Sequence, residues 1–401
     1  MVLRTRASHD ADCKQLTVDP VNAHVTGVYR DCSLSQLKYF SIPESVCPDS
    51  MHDCLEGCLQ YELKLFLRQV IIVDKLVSLR ELNNRILSFS YGTDNKNKPQ
   101  PISLDRLQSK EKKLGMNASQ CWCFARYFCL LVGDLVDGQY AYLALIHILL
   151  DIIDILFAPK LTLSMTYRLE ELISSHHELF HKLFPADSII PKQHFLIHYP
   201  AKIRNLGPCV QYWCMRFESK HASAKEFCHL IRNFRNICKS IAYQQQMQLC
   251  VDWMAFNQST SVDVGPGTAV LPCTLSVPGI VFEKVGIPLF EETYIPKYVR
   301  INGSKYTTNC IVVLAVECDL PVFGQIQLIA YAAKNVTFVV QKLHTLTYDT
   351  HLHAYEVSGT DELTAVCYHD LVDWHPLSTH VGFGNNRSSE YVVLKYELLA
   401  H

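Results

Sequence analysis

The chain has 401 residues, 49% of them hydrophobic and 19% charged, with a formal net charge of −2. That balance is enough for two or three domains with real cores and excludes wholesale disorder; the near-neutral total leaves nucleic-acid binding open, because it can hide a local basic patch. Seventeen cysteines, with no apolar signal segment after Met1, read as reduced and mostly buried thiols of a nuclear or cytoplasmic protein.

In chain order, residues 1–48 are mixed and only weakly periodic. From about 50 to 255 helical periodicity dominates. Leu55, Leu59, Leu63 and Phe66 recur every three or four residues, as one buried helix face requires, and similar patterns run over 73–90, 118–136, 139–158 and 163–184. Breaks fall at the polar stretch from Tyr91 to Pro101 and at Pro185, Pro191, Pro200 and Gly207-Pro208. The most apolar run, Ala141 to Phe157, carries His147, Asp151 and Asp154. A membrane span needs roughly 18 residues with few or no charges, so a buried helix is expected and no membrane partner. Gly265-Pro266-Gly267, Pro272 and Pro278 read as a linker over 257–285. Beyond it the period becomes two. Asn302-Gly303 suits a type I′ hairpin, since both residues need positive φ. Apolar, β-branched runs follow at Ile311–Val316, Gly324–Tyr331, Val336–Leu343, Leu363–Val366 and Tyr391–Tyr396. Short strands in such a length suggest a small β-barrel or sandwich-like tail domain over 286–401.

Two phrases go beyond folding. One is Cys47-Pro48-Asp49-Ser50-Met51-His52-Asp53-Cys54-Leu55-Glu56-Gly57. The other is His198-Tyr199-Pro200 through Gly207-Pro208, followed by Tyr212-Trp213-Cys214-Met215-Arg216-Phe217-Glu218-Ser219-Lys220-His221. Together they resemble the DDE transposases of the CACTA (En/Spm-like) elements. The β-rich tail, with Ile301-Asn302-Gly303 and Asp319-Leu320-Pro321-Val322-Phe323-Gly324, extends the likeness. The resemblance implies an RNase H-like catalytic core with three acidic residues and divalent metal, Mg. It makes Asp49-x-x-His52 the signature after the second acid, and Glu218 the inherited last acid and metal ligand. Residues between them become a helical insertion that leaves the core and returns. The Asp49/His52 segment and Glu218 should then lie within about 20 Å of each other, a loose bound set by several residue lengths of chain.

The same resemblance places the first two acids upstream of Asp49, on core strands. Residues 1–48 look like the connecting segment of a truncated core. They offer only Asp10, Asp12, Asp19, Asp31 and Glu44, none in a clear apolar strand. Two-metal phosphoryl transfer needs several oxygen ligands around ions ~4 Å apart. The expectation is therefore an α+β chain: a mainly α-helical insertion-type domain over 49–256 ending in an RNase H-like helix, then linker and tail. Its function would be that of a catalytically incomplete transposase-derived fragment, not an enzyme by itself.

Other readings of the same residues stay open. Asp49 and His52 also suit a helix cap, because an Asp just before a helix accepts orphan N–H groups. Glu218 also suits an ordinary helix surface beside Lys220. His177-Glu178-x-x-His181 matches the zincin signature, two histidines on one helix face with a glutamate to activate water, but no third ligand follows in sequence. His194 with His198, Cys54 with Cys58 and Cys121 with Cys123 are close pairs without a zinc framework. Between residues 192 and 239 nine basic residues, Lys192, Lys202, Arg204, Arg216, Lys220, Lys225, Arg232, Arg235 and Lys239, outnumber Glu218 and Glu226. Aromatic residues interleave, so a phosphate-binding surface for duplex DNA is expected there. The rival partners are a complete transposase or a host protein held by a helical interaction scaffold.

Overall fold

Helical periodicity becomes helix over most of the first two thirds of the chain. The computed structural model describes residues 4–255, 262–384 and 388–399. A largely exposed N-terminal stretch holds α1 (Arg6–Val18), α2 (Asn22–Thr26) and α3 (Ile42–Ser45). A π-helical segment, Met51–Cys58, then runs without a break into α4 (Leu59–Arg68). α5 (Leu79–Ser88), α6 (Leu104–Gln108), α7 (Ala118–Val132), α8 (Ala141–Leu156) and α9 (Leu163–Leu183) follow, and then α10 (Pro191–Leu196) and α11 (Tyr199–Leu206). α7 begins where Asn117 and Gln120 cap each other's main-chain N–H groups, and α9 where Thr162 accepts the Met165 N–H; both are strong start signals. α8 is apolar nearly all round and buried, from Leu143 to Leu156. Among the described residues no helix is long and apolar enough to cross a membrane. α12 (Met215–Ile231) and α13 (Ile237–Ala255) close the helical part. α12 buries none of its residues, and Phe217, Phe234 and Trp253 stand exposed along this pair.

The C-terminal part is a nine-stranded sheet beside a three-stranded one. β1 (Val262–Val264) pairs with β4 (Tyr298–Ile301), which pairs with β5 (Ser304–Thr307). β2 (Gly267–Val270) pairs with β3 (Thr293–Pro296), which joins the edge of β7. The larger sheet continues through β6 (Ile311–Glu317), β7 (Leu320–Ala332), β8 (Asn335–Asp349) and β9 (Ala354–Cys367). β10 (Asp373–Leu377) lies beyond β6 at one end, and β12 (Glu390–Val392) and β11 (Thr379–Val381) lie beyond β9 at the other. β10 and β11 are separated in sequence by Ser378 alone, so the sheet curls until its end strands nearly meet. It does not close into a barrel. β6 alternates as a strand must: Ile311 and Val313 face a core with Phe323 and Val392, while Val312 faces the smaller sheet through Val299 and Tyr306.

Two sequence expectations need correction. Residues 257–261 of the expected linker lie outside the described residues. Residues 262–285 contain β1, β2 and α14 (Gly279–Glu283), with Val281 and Phe282 buried against Ala330 and Val339. Nor is the tail packed apart from the helices. Leu352, Ala354, Tyr391, Val393 and Tyr396 belong to the same buried cluster as Phe124, Leu149 and Tyr199. Arg126 of α7, itself buried, donates to the Leu394 and Val393 carbonyls, each at 3.0 Å.

Candidate functional site

The helix that starts at Met51 is capped by Asp49, whose Oδ2 accepts the His52 N–H at 3.1 Å. The same carboxylate does a second job. Its Oδ1 accepts the main-chain N–H of Cys214 at 2.8 Å, 165 positions along the chain. Cys214 immediately precedes α12, so one carboxylate ties together the N-termini of two helices, where partial positive charge favours an anion. His52 Nδ1 also contacts Asp49 Oδ2. Its Nε2 lies 3.1 Å from Oε1 of Glu218, in the first turn of α12. A row of carboxylate, imidazole and carboxylate results. His52 can donate to both carboxylates at once only as the imidazolium, because neutral imidazole carries one N–H.

The two sequence phrases meet elsewhere too. Tyr199 donates to Asp53 Oδ2 at 2.7 Å. Lys192 reaches back from α10 to donate to the His52 carbonyl at 2.7 Å. Its stem passes where residue 57 has no side chain: a Cβ on Gly57 would lie 2.3 Å from Lys192 Cδ. Burial alone would raise the Asp49 carboxyl, but hydrogen bonds from the Cys214 N–H and from His52 hold it below its ordinary value. Burial dominates for Asp53 and pushes its carboxyl up, against the pull of the Tyr199 hydroxyl. Cys54 and Cys58 are fully buried, and burial pushes both thiols well up. Neither is a nucleophile.

Asp49, His52 and Cys214 can each present one atom within 4.8 Å of the others. That set combines oxygen, nitrogen and sulfur, whereas Mg takes six hard oxygen ligands at about 2.1 Å. Both Asp49 oxygens already accept N–H bonds. Glu218 is half-exposed and meets the His52 ring, while Asp53 is buried and accepts from the Tyr199 hydroxyl. These residues do not fit a pair of catalytic Mg ions. Among the described residues none of the upstream acids joins that grouping: Asp12 pairs with Arg4 at 3.4 Å, Asp10 and Asp31 lie near Cys13, and Asp19 accepts the Val21 N–H. Glu44 sits where Lys202 donates to its carbonyl.

The basic residues of 192–239 divide into two groups, and the single-patch expectation is corrected accordingly. Lys192 is committed to His52, Lys202 donates to the Pro43 and Glu44 carbonyls at 2.5 and 3.0 Å, and Arg204 pairs with Glu170 at 2.5 Å. These three hold the fold. Arg216, Lys220, Lys225, Arg232, Arg235 and Lys239 are exposed on or beside α12 and α13.

The zincin-like phrase lies on α9. Both ring nitrogens of His177 face main-chain carbonyls, Ile173 at 2.7 Å and Gln193 at 3.1 Å. Among the described residues His177, Glu178 and His181 form no three-ligand grouping, so the geometry gives zinc no seat there. Sequence reading missed Asp53 with Tyr199, and the main-chain N–H of Cys214; both lie inside the quoted phrases, yet only the fold pairs them. No protein-family model matches the chain, and neither a curated protein nor a solved structure is detectably similar to it.

Proposed function

We propose that this chain is a transposase-derived fragment that binds duplex DNA and, by itself, is catalytically incomplete. One observation carries the reading. Asp49, His52 and Glu218, which only the family resemblance had joined, form one connected row. Helices α4 to α11 leave that point and return to it, as an insertion between core elements does. α12 then serves as the terminal RNase H-like helix, with Glu218 as the inherited last acid. A single available carboxylate cannot hold two metal ions on the attacking and leaving oxygens, so strand transfer is not assigned to the chain.

DNA contact falls to the exposed cations of α12 and α13. Binding of the purified chain to duplex DNA should weaken steeply as salt rises, since each neutralised phosphate releases about 0.9 counterion. Replacing Arg232, Arg235 and Lys239 with Ala should lower the salt slope by up to about three if all three touch phosphates. A second reading, a scaffold that holds a complete transposase or a host protein, is favoured by the exposed Phe217, Tyr243 and Trp253 of the same helices and Phe234 between them, since exposed apolar patches mark contact surfaces. Absence of DNA binding together with a stable protein partner would put that reading first.

A further inference from the structure

A cavity of about 620 Å³ lies between the helical part and the C-terminal sheets. That is the size of a site for a small ligand or a short stretch of a polymer. Its walls come from segments far apart in sequence: the loop around Asp94, the first turn of α7, the start of α12, the β4–β5 hairpin and the stretch after β12. Lys96, Arg126, Arg300, Lys305 and Lys395 line it, against one carboxylate, Asp94.

The charges are not cancelled from within. Asp94 accepts from Arg126 at 2.6 Å and lies 3.8 Å from Lys395, so two cations share one anion on the inner wall. Arg300 has a long contact to Asp263, 3.5 Å, and both side chains are at least half-exposed; such a pair is weak. Lys305 lies over the Tyr298 ring, and Lys96 is exposed. Neither has a carboxylate partner among the described residues. Two helices of 15 and 17 residues begin at this cavity, with Ser119 in the first turn of α7 and Met215 starting α12. The α7 N-terminus adds to the positive potential, whereas that of α12 is already met by the Asp49 carboxylate. Trp122 also lines the wall. Met215 directly follows Cys214, whose N–H holds Asp49, so the cavity sits beside the row that ends at Glu218.

We infer that this cavity takes phosphate groups of a nucleic-acid strand led past the Asp49–His52–Glu218 row. The inference rests on the nucleic-acid reading above but assigns a second surface, distinct from the α12–α13 cations. Clustered cations are the groups that recognise a phosphodiester, and 620 Å³ admits a single strand and not a duplex about 20 Å across. Free inorganic phosphate shares this chemistry, and the test separates the two.

The experiment follows a fluorescent single-stranded oligonucleotide by anisotropy across salt, using the whole chain. One variant carries Lys96→Ala, Arg300→Ala and Lys305→Ala, all exposed positions; the other carries Arg232→Ala, Arg235→Ala and Lys239→Ala. For single strands each lost phosphate contact removes about 0.7 from the salt slope, which is about fivefold in affinity at 0.1 M salt. The cavity variant should lose that much for every contact, with an unchanged thermal midpoint. Parental affinity in the cavity variant, with loss only in the α13 variant, would overturn the cavity assignment and leave nucleic-acid binding standing. Inorganic phosphate that changes tryptophan fluorescence of the parent but not of the cavity variant, with no oligonucleotide bound, would overturn the strand and leave a small-anion site. No response to either ligand would overturn both.

Discussion

Replacing Asp94 with Asn should loosen the joint between the helices and the C-terminal tail. Asp94 is buried, accepts from Arg126 at 2.6 Å and from the Tyr127 hydroxyl at 2.8 Å, and lies near Lys395. Arg126 in turn holds the Val393 and Leu394 carbonyls. Burial by itself would raise the Asp94 carboxyl, but Arg126 and Lys395 bring it down from 3.8 to about 2. At 1.36 kcal/mol per pH unit that fall is worth about 2 kcal/mol of folding stability. Leaving Arg126 buried without its partner carboxylate brings the expected loss for Asp94→Asn to about 3 kcal/mol. The folded value is depressed, so this stability is complete above about pH 4 and disappears as pH falls through about 2. Urea unfolding of parent and variant at neutral pH and near pH 2 measures it. The gap should be about 3 kcal/mol at neutral pH and should shrink by about 2 in acid. A neutral-pH loss under about 0.5 kcal/mol, or a gap that does not move with pH, would show that the Asp94 charge does not hold this joint.

Three further outcomes are expected. Glu62→Ala should cost about 3 kcal/mol, because the fully buried Glu62 holds His176 at 2.7 Å and Gln193 at 2.8 Å; a loss under about 1 kcal/mol in urea unfolding would contradict it. Gly57→Ala should destabilise by about 1–2 kcal/mol through its clash with the Lys192 stem, and Lys192→Ala in that background should cost less than it does alone, a coupling that a double-mutant cycle reads directly. Asp49→Ala should remove about 1–2 kcal/mol of capping at neutral pH. Its carboxyl is held below the ordinary value, so that contribution is present above about pH 4 and lost as acid protonates Asp49 in the fold; equal losses at neutral pH and below pH 3 would show that the carboxylate charge is irrelevant.

Much of the architecture was legible because it is local. Helical spacing marked α4, α7, α8 and α9, and Asn302-Gly303 gave the β4–β5 hairpin, with φ of 48° and 85°. Gly265-Pro266-Gly267 misled, because glycine serves more than one purpose. Gly267 sits in β2, where a Cβ would lie 2.2 Å from the Ile295 carbonyl oxygen, so it permits close strand approach and does not mark a flexible linker. The site was legible in part for a different reason. A cap at Asp49 follows from its position before a helix, but nothing local says that His52 meets Glu218; only the paired phrases suggested it. Sequence alone makes Lys192 and Lys202 look like phosphate ligands, because charge is visible in sequence and its partner is not. Their carbonyl partners lie 140 and 159 positions away. The cavity cations escaped notice for the same reason, since Lys96 and Lys305 come together only across the fold.

Incubating the purified chain with supercoiled plasmid and magnesium or manganese, beside a Glu218→Ala variant, puts to the test the proposal that Glu218 is an inherited acid in an incomplete site. The expected result is DNA binding by both proteins, at least as tight in the variant because a carboxylate has gone, with no nicked or linear product from either. Metal-dependent nicking by the parent that disappears in Glu218→Ala would contradict it, by showing that other acids of the chain complete the site.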